Sequence, residues 1–167
     1  APGIDVGGSG TLTVYGGEVT AEAGTSSNAG YGAGIRVVTG GTVNIHGGTV
    51  TATGASFVST NDYPGAGIGG SGSNGETCGN VTITGGTVTA NGGDGYQQHA
   101  AAGIGGGAGK SSSAGGGGNV IISGGTVTAN GGKASRNDNV QAPGIGGAVY
   151  LSSSGGTGTF STGTSGS

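Results

Sequence analysis

The stretch Gly47-Gly48-Thr49-Val50-Thr51-Ala52-Thr53-Gly54 decides the fold, because GGTVTATG returns as GGTVTANG at residues 85–92 and again at 124–131. A weaker copy, GGEVTAEAG, starts at Gly16. The period within each copy is two, so Val50 and Ala52 point to one side of an extended strand while Thr49, Thr51 and Thr53 point to the other. Apolar residues on one side and threonines on the other describe a strand with a buried face and a solvated one.

A second landmark sets the longer period. The segments APGI, GAGI, GAGI, AAGI and APGI end at Ile4, Ile35, Ile68, Ile104 and Ile145, at spacings of 31, 33, 36 and 41 residues. A constant motif separated by unequal lengths is the mark of a repeat array, each unit being one coil with its insertions in loops. Each unit reads as three extended pieces. The first carries the isoleucine. The second alternates, as in Thr42-Val43-Asn44-Ile45-His46 and Asn80-Val81-Thr82-Ile83-Thr84, and ends at a Gly-Gly corner. The third is the threonine strand, followed by a polar loop of varying length such as SFVSTNDYP or KASRNDNVQ. Identical strands recurring in the same order stack in parallel on their own copies rather than folding back as hairpins. The expected fold is therefore all-β: a right-handed parallel β-helix, or β-solenoid, of about four full coils plus a partial fifth, with three short strands per coil. A bundle of polyproline-II helices would need glycine at every third position, and that period is absent.

Composition bounds the rest. Among 167 residues are 48 glycines, no tryptophan and no methionine, and only 7% are charged. Such a chain would be disordered without the repeat, whose backbone ladder takes the place of a large core. One domain spanning residues 1–167 is expected. Residues 155–167 are read as a partial C-terminal cap, with truncation from a longer array as the rival reading. Four Lys and Arg against seven Asp and Glu leave no basic face for nucleic acid. No apolar run is long enough to insert in a membrane. The start at Ala1, in mid-pattern, leads us to expect a trimmed product that is secreted or exposed on an extracellular surface. Cys78 is the sole cysteine and reads as a small side chain in a loop.

Stacking the repeats places Glu18, Thr49, Thr87 and Thr126 in one column, Thr20, Thr51, Thr89 and Thr128 in a second, and Glu22, Thr53, Asn91 and Asn130 in a third. Outward side chains along a strand are about 6.6 to 6.8 Å apart and neighbouring strands about 4.7 to 4.9 Å apart, so these columns form a flat grid of hydroxyls and methyls. The branched Cβ of threonine restricts χ1 and pre-orders the grid. The outward residues of the second strand, Tyr15, Asn44, His46 and Ile121, are unequal in size and make a rougher face.

The unit GAGIGG, a loop and GNVTITGGTVTANGG resembles the glycine-rich right-handed β-helix repeats of large secreted and cell-surface proteins of bacteria, over nearly the whole chain. Its Thr-X-Thr ranks are similar to those of β-solenoid antifreeze proteins, whose flat threonine arrays order water and adsorb to ice. That resemblance implies an ice-crystal surface as partner, met by Thr49, Thr51, Thr87, Thr89, Thr126 and Thr128, with Thr20 and Thr53 at the margins. Asn91 and Asn130 occupy the same ranks but depart from strict threonine, and Glu18 and Glu22 spoil the first coil as an ice contact. The alternative is a structural or adhesive segment of a bacterial surface protein, its loops with Tyr31, Tyr63 and Tyr96 contacting a glycan or protein partner. The chain is read as a monomer under the first reading.

Enzymatic readings are weaker. Asp62, Asp94 and Asp138 lie in three different loops, and Glu18 and Glu22 stand about 13 Å apart by strand rise. His46 and His99 share no offset that would suggest a metal or nucleophile pair. GGDG at residues 92–95 occurs once, whereas calcium-binding repeats need tandem copies. Lys110-Ser111 follows glycines without the strand and helix of a phosphate loop. No enzyme activity, cofactor or metal is expected.

Overall fold

The structure is a computed structural model describing residues 1–24, 32–56, 63–72, 74–96, 99–109, 113–134, 140–150 and 159–162. Three parallel sheets, contributed by three strands per coil, form a β-solenoid of the right-handed kind expected from the repeat. The first sheet stacks β1 (Ile4–Gly7), β4 (Ile35–Val37), β7 (Ile68–Gly69), β11 (Ile104–Gly105) and β14 (Ile145–Gly146). The second stacks β2 (Thr11–Val14), β5 (Thr42–Ile45), β8 (Asn80–Ile83), β12 (Asn119–Ile122) and β16 (Thr159–Thr162). The third holds β3 (Glu18–Glu22), β6 (Thr49–Thr53), β9 (Thr87–Asn91) and β13 (Thr126–Asn130). Pairing is in register, isoleucine on isoleucine and alanine on alanine, apart from a bulge between Asp5 and Gly7. Among the described residues the fifth coil contributes β14 to the first sheet and β16, with Thr159 and Phe160, to the second.

The core is a column of small aliphatic layers. Ile35, Val37, Val43, Ile45, Val50 and Ala52 of the second coil and Ile68, Val81, Ile83, Val88 and Ala90 of the third are fully buried. Their counterparts Ile4, Val6, Leu12 and Val19 in the first coil, and Ile122, Val127, Ala129 and Ile145 toward the other end, are only partly covered. The gradient follows from geometry: an inner coil has a neighbour above and below. At roughly 1.5–3 kcal/mol for a fully buried Val, Leu or Ile side chain, the middle coils carry most of the apolar stabilisation.

Two glycine positions explain the repeat motif. The second glycine of each corner pair is in the left-handed region, with φ of 80° at Gly17, 82° at Gly48, 86° at Gly86 and 84° at Gly125. The glycine before each inner isoleucine has a different cause. A Cβ at Gly34, Gly67 or Gly103 would fall 2.5, 2.6 or 2.7 Å from the backbone nitrogen of Thr53, Asn91 or Asn130. The chain entering the first sheet crosses the end of a threonine strand at backbone contact, and only a bare Cα fits.

Insertions lie elsewhere than the sequence reading places them. The link from threonine strand to isoleucine strand is nearly constant, residues 23–34, 54–67, 92–103 and 131–144, whereas the link from the first to the second sheet lengthens from 8–10 and 38–41 to 70–79 and 106–118. These longer links fold back over the first sheet, where Gly69, Gly105 and Gly146 succeed Asp5 and Arg36 in the column. Gly70 and Gly106 sit at backbone contact with residues 76 and 115 of those links. The glycines that follow the isoleucines on this side are thus covered by the chain itself. One antiparallel pair, β10 (His99–Ala100) with β15 (Val149–Tyr150), ties the fourth-coil entrance to the fifth-coil link.

Candidate functional site

Thr20, Thr49, Thr51, Thr53, Thr87, Thr89, Asn91, Thr126, Thr128 and Asn130 all lie on the outer face of the third sheet. Its inner face is occupied by Val50, Val88, Ala52 and Ala90, which are fully buried, so alternation leaves the threonines pointing to solvent. Unbroken registers place them in the three columns read from sequence: Glu18–Thr49–Thr87–Thr126, Thr20–Thr51–Thr89–Thr128 and Glu22–Thr53–Asn91–Asn130. The first column is exposed throughout. In the central column Thr51 and Thr89 are half-buried by neighbours on every side while Thr20 and Thr128 at its ends are exposed.

The third column differs in chemistry. Asn130 donates from Nδ2 to Asn91 Oδ1 at 2.9 Å, a side-chain ladder parallel to the backbone ladder. A matching contact joins Asn119 Nδ2 to Asn80 Oδ1 at 3.4 Å on the second sheet. The two asparagines of the threonine face are thereby held in one orientation, and each amide keeps donor or acceptor capacity for solvent. At the other end of the sheet, Glu18 and Glu22 are exposed on β3, the edge strand. Carboxylates there bring charge to an edge that would otherwise invite further pairing.

Sequence reasoning did not identify the cluster on the first sheet. Arg36 donates from Nη1 to Asp5 Oδ1 at 2.9 Å and from Nε to Glu76 Oε2 at 2.8 Å, and its Nη2 bonds Glu76 Oε1. Glu76 also accepts from the backbone N of Ser71 at 3.0 Å. The hydrogen bond to Glu76 is the main cause holding the guanidinium pKa above its usual value. Asp5 and Arg36 each follow a repeat isoleucine, a signal readable from spacing; Glu76, in a variable link, has no such signal.

Asp94 Oδ1 accepts from Lys133 N at 2.7 Å, fastening successive loops, while Asp62, Asp138 and Lys110-Ser111 lie outside the described residues, as does Tyr31. Cys78 lies in the link between the first and second sheets with its side chain buried against the core, and desolvation pushes its thiol up to about 12. His99 meets Tyr63 edge to face, ring centres 4.8 Å apart, and burial lowers its pKa. On the second sheet Tyr15 and His46 stack, and His46 Nδ1 lies 2.7 Å from Thr84 Oγ1.

Comparison with known proteins gives one result on this geometry. Residues 12–35, 43–72, 81–108 and 120–149 match the model of a family described as Beta helix repeat. Each matched segment runs from the second sheet through the threonine strand toward the next isoleucine strand, one coil apiece. No curated protein and no solved structure matches the chain.

Proposed function

The chain belongs to the Beta helix repeat family, and from that premise we propose that it is an ice-binding protein, adsorbing through the outer face of its third sheet. The observation carrying this reading is the pair of unbroken columns Thr49–Thr87–Thr126 and Thr51–Thr89–Thr128, presented by three strands in strict parallel register. Strand spacing of about 4.7 to 4.9 Å and side-chain spacing of about 6.6 to 6.8 Å repeat hydroxyls and methyls in two directions. Water held at such a grid is ordered by directional hydrogen bonds from the hydroxyls and by the methyls between them. The rigid backbone and restricted χ1 leave little entropy to lose on adsorption.

Thr20 and Thr53 flank the two columns, and Asn91 and Asn130 end the ranks with amides held by their mutual hydrogen bond. Glu18 and Glu22 bound the surface on one side. Binding of this kind needs neither catalysis nor a cofactor, and it acts on a monomer outside the cell. The test is thermal hysteresis and ice-crystal faceting in dilute protein, for the wild type and for Thr51→Tyr and Thr89→Tyr. The wild type is expected to facet ice, and either substitution to abolish this by breaking flatness. Faceting retained by both variants would remove the face from consideration.

A further inference from the structure

Tyr15 is the exposed large hydrophobic side chain among the described residues, 80% accessible. It is also held in place. Its ring stacks on His46 with centres 5.2 Å apart and planes inclined by 21°, and His46 is in turn anchored to Thr84 Oγ1. These residues occupy one column, because His46 N bonds Val14 O and Thr84 N bonds Ile45 O. One face of the phenol is therefore covered by the imidazole, and the other is left to solvent. A fixed aromatic face exposed at this level is a binding platform by its physics: the orientational entropy of the ring is already spent, and its desolvation is available to a ligand.

The chemistry around the ring narrows the ligand. The outward positions of β2, β5, β8 and β12 carry Thr, Asn, Ile and no charged side chain. Thr13 is exposed two residues before Tyr15 on the same face, and Asn44 pairs with it in register. Hydroxyls and amides both donate and accept, which suits a ligand that is itself rich in hydroxyls. A net charge of -3 disfavours anionic partners, including the phosphate backbone of nucleic acid.

A molecule offering a flat apolar face bordered by hydroxyls is a pyranose whose substituents are all equatorial. We propose that the outer face of the second sheet binds a neutral β-linked glucan, one sugar ring stacking on the free face of Tyr15 while Thr13 and Asn44 meet its hydroxyls. This site lies on a different sheet from the threonine grid and does not depend on it.

Cellohexaose is the probe, titrated into the protein by calorimetry, with far-UV circular dichroism confirming that each variant is folded. Saturable binding is expected, within twofold in Tyr15→Phe, weakened at least tenfold in Tyr15→Ala, and unchanged in Thr51→Tyr. No saturable binding, equal affinity in Tyr15→Ala, or tighter binding of an acidic oligogalacturonate than of cellohexaose would overturn the proposal. Because Thr51→Tyr affects only the third sheet, failure here and failure of ice binding are separable.

Discussion

Glu22 pairs in register with Thr53, so the first coil sets a carboxylate where the second sets a hydroxyl. Glu18 stands in the same relation to Thr49, with Thr20 between them aligned on Thr51. The backbone of β3 is thus already shaped as a threonine rank, and only two side chains separate it from the other three. Replacing them together, Glu18→Thr with Glu22→Thr, extends the uncharged grid by one strand without altering an inward residue. If ice adsorption is the function, thermal hysteresis at equal concentration should rise in the double variant. A fall, with the monomer retained in sedimentation, would count against this face.

That correspondence also shows what was legible in the sequence. A strict period of two and identical GGTVTA stretches determine which residues share a column, because parallel stacking in register leaves no other arrangement. The whole candidate face, from Thr20 to Asn130, follows from that. Insertions were harder to place. The polar tracts after the threonine strands read as the variable loops, yet the length differences fall between the first and second sheets, in the tracts that follow the repeated Ile-Gly-Gly and that have no counterpart in the first two coils. Tyr15 and His46 precede equivalent corners and so were visible as column neighbours, but spacing alone does not say that unequal side chains will stack. Glu76 was illegible for a stronger reason: a residue in a link of unique length has no counterpart to align.

The Arg36–Glu76 contact joins the second coil to the link that covers the first sheet, and both side chains are largely shielded, 23% and 28% accessible. Two charge-assisted hydrogen bonds in this setting hold more than an exposed pair does. Glu76→Ala leaves the guanidinium with Asp5 alone and frees the Ser71 amide, and it is expected to cost about 2 kcal/mol. Urea unfolding measures the loss. Hydrogen exchange at Gly107, whose N bonds the carbonyl of residue 76, should accelerate with it.

The corner glycines separate conformational from steric requirements. Gly16 has ordinary φ and open space around a would-be Cβ, Gly17 has φ of 80° and open space, and Gly86 has φ of 86° with Gly48 O at 2.6 Å from that Cβ. Alanine at Gly16 should be neutral or slightly stabilising, by about 0.4–1 kcal/mol through the unfolded chain. At Gly17 it should cost about 1–2 kcal/mol for the left-handed backbone. At Gly86 the cost must exceed that, because the coil below cannot retreat without breaking its own ladder. Denaturation midpoints in the order Gly16→Ala, Gly17→Ala, Gly86→Ala test the series, and equal costs at 17 and 86 would show that the stack yields.

Stability should fall at both ends of the pH scale, for opposite reasons. Burial lowers the pKa of His99 below its ordinary 6.5, so as pH drops through that value the unfolded chain takes up a proton that the native state refuses, and unfolding gains. Burial raises the Cys78 thiol from 9.0 to about 12, so between those values the unfolded chain gives up a proton that the native state keeps, and unfolding gains again as pH rises. Urea midpoints measured against pH should therefore show a plateau between neutrality and about pH 9 with a decline on each side. His99→Phe should flatten the acid limb alone and Cys78→Ala the alkaline limb alone. The same burial predicts that a thiol reagent at pH 8 modifies Cys78 at a rate limited by opening of the third coil, so modification should accelerate in Glu76→Ala, whose loss loosens the link that carries both residues. Modification of the native protein as fast as of the urea-unfolded chain would place the thiol outside the core.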